Sequence, residues 1–126
     1  MASPSLGLRF DATVDVKGLM AMASPEAVRR ARTVLAMRVG LDSNRFCKVD
    51  TWFLQSTMQT TSDFEAGEVR WSARKGGRDY ARYAYYQDGL GPQSVANGRT
   101  SKWFEKAKSE RIDSWRRYVK NEILKG

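Results

Sequence analysis

The chain has 126 residues, enough for one compact domain with one modest hydrophobic core, and a single domain over residues 1–126 is expected. Its 22 Lys and Arg outweigh 14 Asp and Glu for a formal charge of +8, spread over both halves with no separate basic tail, which favours anionic partners such as nucleic acid or acidic protein surfaces. With no His and a single Cys, the chain has no means to build a His-based triad, a His general base, a Cys/His zinc site or an intramolecular disulfide. No metal or cofactor is expected, and no pair of carboxylates, lysines or tyrosines has a spacing that singles out acid–base chemistry. No run approaches the roughly 20 apolar residues of a membrane span, and the N-terminus lacks the basic start and apolar stretch of a signal peptide. A soluble protein made in a reducing compartment is expected.

Leu8, Phe10, Ala12, Val14 and Val16 alternate with Arg9, Asp11, Thr13 and Asp15, which predicts a half-buried strand. Ser24-Pro25-Glu26 then supplies an N-cap, a proline preset for the first helical position and a carboxylate for the positive end of the helix dipole. A helix is predicted from Pro25 to about Gly40, with Val28, Ala31, Val34 or Leu35, and Val39 on its apolar face. Arg29, Arg30, Arg32 and Arg38 occupy its other faces; such a charge run reads as the solvated side of the helix, with entry into a DNA groove as the sharper alternative. Asp42 to Lys48 reads as a linker, in which the lone Cys47 is a small buried hydrophobe rather than a reactive thiol.

Leu54, Ser56, Met58 and Thr60 alternate with Gln55, Thr57, Gln59 and Thr61, a pattern and composition that predict a strand. Asp63 to Gly67 reads as a turn, and Val69, Trp71 and Ala73 alternate with Glu68, Arg70 and Ser72, so the two runs are expected to form an antiparallel hairpin. Lys75-Gly76-Gly77-Arg78 reads as a flexible basic loop without the spacing of a P-loop. Tyr80-Ala81-Arg82-Tyr83-Ala84-Tyr85-Tyr86 is the densest aromatic cluster; at helical spacing it reads as core or protein interface rather than as a platform for unpaired bases.

Asp88 to Arg99, with three Gly and a Pro, predicts a long exposed loop. Beyond it, Phe104, Ala107, Ile112, Trp115, Val119 and Ile123 fall on one side of a helix that Thr100 or Ser101 can cap. Lys106–Glu110 and Asp113–Arg117 are spaced to pair on its wet face, and Trp103-Phe104 is an anchor in a core or an interface. The fold class that follows is α+β: a small antiparallel sheet packed against a long N-terminal helix and a C-terminal helix.

Val49-Asp50-Thr51 ahead of an apolar–polar run, a second strand with Trp71, Tyr80-Ala81-Arg82-Tyr83 to Tyr86, and Lys102-Trp103-Phe104-Glu105-Lys106-Ala107-Lys108 occur in an order that resembles the tailed-bacteriophage minor capsid family, over roughly residues 25 to 124. The chain departs from the family pattern at Trp52, where the family usually has Gly, and at Gln55, where it usually has Arg. A Trp resists the positive φ that Gly permits, so the turn is reshaped or Trp52 is displayed for a partner. The resemblance implies a structural protein of the head-to-tail neck, made in the host cytoplasm and carried in the virion. It would form a ring, a hexamer or a dodecamer, that joins the portal/adaptor complex to the tail around the channel for double-stranded DNA. The partner or subunit contacts expected on this basis are Trp52, Lys75, Arg78, Tyr83, Tyr86 and Trp103. The competing expectation is a basic nucleic-acid-binding domain, carried by the net charge and the Tyr/Arg cluster.

Overall fold

The computed structural model describes residues 8–13, 16–21, 23–47, 53–72, 74–75, 78–86 and 102–125, with the backbone alone at 53, 74–75 and 78–80. In chain order the elements are β1 (Leu8–Asp11), α1 (Lys17–Met20), α2 (Pro25–Asn44), α3 (Phe53–Thr61), a 3-10 turn (Phe64–Ala66), β2 (Glu68–Trp71), β3 (Arg74–Lys75), β4 (Arg78–Asp79), α4 (Tyr80–Tyr86) and α5 (Trp103–Leu124). The architecture is the expected α+β arrangement, with the long helices α2 and α5 packed together and against the small antiparallel sheet.

The first strand follows its alternation: Leu8 is buried, Arg9 and Asp11 face solvent, and Phe10 packs against the core. It stops at Asp11, short of the expected Val16, because the Asp11 carboxylate accepts from both the backbone N–H and the hydroxyl of Thr13, turning the chain. Its partner is β2, in the register Leu8↔Trp71, Arg9↔Arg70, Phe10↔Val69 and Asp11↔Glu68. Val69 and Trp71 are fully buried, as their alternation predicts.

The other half of the expected hairpin is not a strand. Residues 54–61 lie in α3, where Leu54, Thr57 and Met58 are buried at a spacing of three and four residues, the helical period. The threonines that favoured a strand are satisfied within the helix: the Thr57 hydroxyl donates to the Leu54 carbonyl at 2.7 Å, and that of Thr60 lies 3.3 Å from the Thr57 carbonyl. From there α3 and the residues after it cover the edge of β2 that β1 leaves open. The Ser62 hydroxyl accepts from Arg70 N–H at 2.8 Å, the Thr57 hydroxyl accepts from Ser72 N–H at 3.1 Å, and the Thr61 hydroxyl lies 3.0 Å from the Arg70 carbonyl.

The turn predicted over Asp63 to Gly67 is present. Asp63 caps the 3-10 turn through Ala66 N–H, and Gly67 takes φ +77°, where an added Cβ would sit 2.7 Å from Arg32 Cγ. Where a basic loop is expected, the described residues pair as the antiparallel strands β3 and β4, Arg74↔Asp79 and Lys75↔Arg78, while Gly76 and Gly77 lie outside the described residues.

Helix α2 starts as its sequence predicts, with the Ser24 hydroxyl accepting from Ala27 N–H at 3.2 Å and Pro25 in the first turn. It runs past Gly40 to Asn44, so the expected linker begins later, and Asp42 and Ser43 are buried in the last turn. Gly40 does not end the helix because its missing side chain makes room for Met58 of α3: a Cβ there would lie 2.4 Å from the Met58 sulfur. Cys47 is fully buried, the bland of its two readings.

Two faces meet at the centre of the fold. The Phe10 ring stacks on Phe104 at 4.3 Å and lies 5.3 Å from Tyr85, while Trp103 meets Trp71 at 5.9 Å and Tyr85 at 4.8 Å in edge-on contacts. Sheet, α4 and α5 are therefore joined through one aromatic cluster. Lys102 precedes α5 in the left-handed region, φ 51°, without a side-chain cap, and its N–H donates to the Tyr85 carbonyl at 2.9 Å. Thr100 and Ser101, the expected caps, and the expected loop over Asp88 to Arg99 lie outside the described residues.

Candidate functional site

The partners along α2 and α5 run in opposite senses, Arg30 with Glu122, Arg38 with Tyr118, Asp42 with Trp115, and Phe46 with Lys106, which makes the two helices antiparallel. Midway along this seam the buried Trp115 donates its indole N–H to the Asp42 carboxylate at 2.7 Å. Asp42 is only 8% exposed, so this hydrogen bond takes the place of water for a carboxylate that α2 carries inward.

Above that pair the surface opens into a groove of about 400 Å³. Arg38 and Leu41 line it from α2, Arg45 from the C-cap of that helix, and Arg111, Ser114 and Tyr118 from α5, each set spaced at three, four or seven residues so that it shares one helix face. The Arg38 guanidinium lies over the Tyr118 ring, 4.8 Å from its centroid.

Several other surface charges pair with neighbours. Lys106 pairs with Glu110 at 3.0 Å as expected, Asp113 pairs with Arg116 at 3.9 Å rather than with Arg117, and Glu122 takes both Lys125 and Arg30. Across the sheet Arg9 pairs with Glu68 at 3.6 Å. Arg38, Arg45 and Arg111 make no ion pair among the described residues, as is also true of Arg29, Arg117 and Lys120; what sets them apart is that they line one opening. The groove concentrates three guanidiniums around one carboxylate that is turned toward Trp115.

The residues singled out from the sequence do not gather there. Trp52 lies outside the described residues, and Lys75 and Arg78 are placed by backbone only, as partners across the β3–β4 hairpin. Tyr83 and Tyr86 project from α4 and are 50% and 59% exposed, available to a partner. Trp103 is fully buried, which corrects its candidacy as a contact residue: it anchors the aromatic core, because its ring is enclosed by Trp71 and Tyr85. Tyr85 is also buried; burial first, and then the charge of the Glu105 carboxylate, holds its phenol far above the ordinary tyrosine value. Its hydroxyl is close enough to feel Glu105 but makes no well-aligned hydrogen bond.

Arg45 and Arg111 were not visible as a site in the sequence. Each stands among many basic residues, and the only local signal is the seven-residue spacing from Arg38 to Arg45 and from Arg111 to Tyr118. Their meeting depends on the antiparallel register of α2 and α5, which is tertiary.

A second, apolar groove of about 230 Å³ lies between α2 and α3, lined by Met37, Leu41, Met58 and Phe64. Among the described residues there is no group of three or more His, Cys, Asp or Glu placed to hold a metal ion, and no helix long and apolar enough to cross a membrane. No family model, curated protein or solved structure matches the chain.

Proposed function

We propose that the protein is a structural component of a tailed-phage virion, a ring subunit of the neck that joins the portal/adaptor complex to the tail and surrounds the DNA channel. The observation that carries this reading is the order of motifs from Val49-Asp50-Thr51 through Trp71 and Tyr80–Tyr86 to Lys102–Lys108. The fold supplies a physical reason for the later motifs to occur together. Trp71, Tyr85, Trp103 and Phe104 come from all three and meet in the one aromatic cluster that fixes α4 and α5 against the sheet. A ring subunit needs no catalyst and needs at least two protein-facing surfaces. The exposed Tyr83 and Tyr86 on α4 and the apolar groove beside Met37 and Leu41 are suited to that use.

Depleting the protein during infection tests the reading. DNA-filled heads and separate, complete tails should accumulate and be visible by negative-stain electron microscopy. Normal joined particles in its absence would remove the neck assignment.

The arginine groove favours a second reading, an independent nucleic-acid-binding domain. Such a domain should neutralise many phosphates at once and lose affinity over orders of magnitude with added salt. A neck subunit in isolation should bind free DNA weakly.

A further inference from the structure

We propose that the groove between α2 and α5 is a phosphate-binding site, in which Arg38, Arg45 and Arg111 hold successive phosphate groups of one polyanion. Three features of the groove lead there. First, its three guanidiniums line one opening and have no carboxylate partners among the described residues. An unpaired guanidinium presents a planar fork of N–H donors that matches the oxygens of a phosphate in a bidentate way, which an ammonium does not. Second, the one carboxylate in the groove is already committed, since Asp42 accepts from the buried Trp115 indole at 2.7 Å. That leaves three positive charges facing an opening with one negative charge at its floor. Third, the Arg38 guanidinium rests on the Tyr118 ring, which steadies its plane and leaves the N–H edge free for an acceptor lying in that plane.

The geometry also narrows the ligand. Arg38 on α2 and Arg45 at its C-cap stand seven residues apart, about 10 Å along the axis at 1.5 Å per residue. Arginine side chains extended along the groove from positions that far apart suit separate phosphate groups better than a single one, so the proposed ligand carries phosphates in series, as a nucleic-acid backbone or a free oligophosphate does. Ser114 and Tyr118 add hydroxyl groups at the α5 wall that suit the remaining phosphate oxygens. The inference goes beyond the neck reading and is independent of it, because it concerns the isolated protein and is tested without particles.

The test measures fluorescence anisotropy of a labelled DNA duplex and, in parallel, the thermal shift caused by inorganic tripolyphosphate, at about 50 mM salt and then in a salt titration. About 0.9 units of log–log salt slope per phosphate neutralised makes the expected duplex slope roughly −2 to −3. That is far shallower than the slope of a dedicated DNA-binding domain. In the R45Q/R111Q variant the slope should shrink by roughly two and the tripolyphosphate shift should vanish. R116Q/R117Q removes the same charge from exposed positions of α5 outside the groove and should leave both responses nearly unchanged. Asp42→Asn, which keeps an oxygen for Trp115 but removes the negative charge, should tighten binding several-fold. Binding of both probes, with tripolyphosphate displacing the duplex, assigns the site to a nucleic-acid backbone; a response to tripolyphosphate alone assigns it to free oligophosphates. Equal losses in the two double variants overturn the proposal. So does silence from both probes, and so does binding of an oligoglutamate peptide without a response to either phosphate. Unchanged thermal unfolding of R45Q/R111Q without ligand verifies that a lost response is not a lost fold.

Discussion

Replacing Gly40 by Ala tests the close approach of α2 and α3 at Met58. In an ordinary helix the change should stabilise, because Gly is about 0.8–1.0 kcal/mol less favourable than Ala in a helix interior. Here the new Cβ would lie 2.4 Å from Met58 Sδ, 3.1 Å from Cε and 3.2 Å from Cγ, while ordinary contact begins at 3.4 Å. Met58 is 1% exposed, so its sulfur must retreat by about 1 Å into packed surroundings. Overpacking of this kind typically costs about 1–3 kcal/mol. The propensity gain offsets part of that, and Gly40→Ala should be destabilising by up to about 2 kcal/mol. Met58→Ala removes the obstructing atoms and is itself expected to cost about 2–5 kcal/mol. In that background Gly40→Ala should stabilise by about 1 kcal/mol, the propensity term alone. Urea unfolding followed by tryptophan fluorescence, with all four corners of the cycle measured, gives the coupling directly. The reasoning is refuted if Gly40→Ala stabilises by the same amount whether or not Met58 is present, since α2 and α3 would then not touch at this point.

Trp71 and Trp115 provide a matched comparison: both are buried and each donates its indole N–H at 2.7 Å, Trp71 to the amide oxygen of Asn44 and Trp115 to the carboxylate of Asp42. Hydrogen bonds to charged groups are worth about 1.5–3 kcal/mol against about 0.5–1.5 for neutral ones, so Trp115→Phe should lower the unfolding free energy more than Trp71→Phe in the same urea assay. Equal losses would show that the Asp42 contact is not made. Tyr85→Phe removes a buried hydroxyl with no well-aligned hydrogen bond and should be neutral or slightly stabilising at pH 7, a result that a cost above about 1 kcal/mol would contradict. Because the folded phenol is held above its unfolded value of about 10, the unfolded chain loses the proton first as pH rises. The wild type should therefore lose stability above about pH 10 more steeply than Tyr85→Phe, by up to about 1.4 kcal/mol per pH unit, and parallel pH profiles would be the contrary result. Under the neck reading, charge reversal at Lys75 and Arg78 should impair head–tail joining in complementation assays, and normal yields of joined particles would release the β3–β4 hairpin from that role.

Where a local signal and the tertiary environment agreed, the fold was legible. Ser24-Pro25-Glu26 starts α2, Leu8 to Asp11 and Glu68 to Trp71 alternate as strands, and Gly67 closes the turn after Asp63. The stripe from Phe104 to Ile123 lies on α5, with Ala107, Trp115 and Val119 fully buried. The errors arose where one residue type serves two structures. Thr57, Thr60 and Thr61 favour strands by their branching, yet their hydroxyls bond back to helical carbonyls or across to β2. Gly40 has the appearance of a helix end but is a contact point for Met58. Pairing was harder still: that β2 takes β1 rather than the run before it depends on α3 occupying the other edge. The arginine groove was illegible for the same reason, since Arg38, Arg45 and Arg111 become neighbours only when α2 and α5 lie antiparallel.

The neck assignment is tested most directly by the number of copies of this protein in purified virus particles, measured by quantitative mass spectrometry and calibrated against the portal and the major capsid protein. The account predicts one ring's worth of copies per particle, six or twelve if the subunits follow the expected hexamer or dodecamer. Absence from intact tailed particles, or a copy number that tracks the capsid shell, would contradict it.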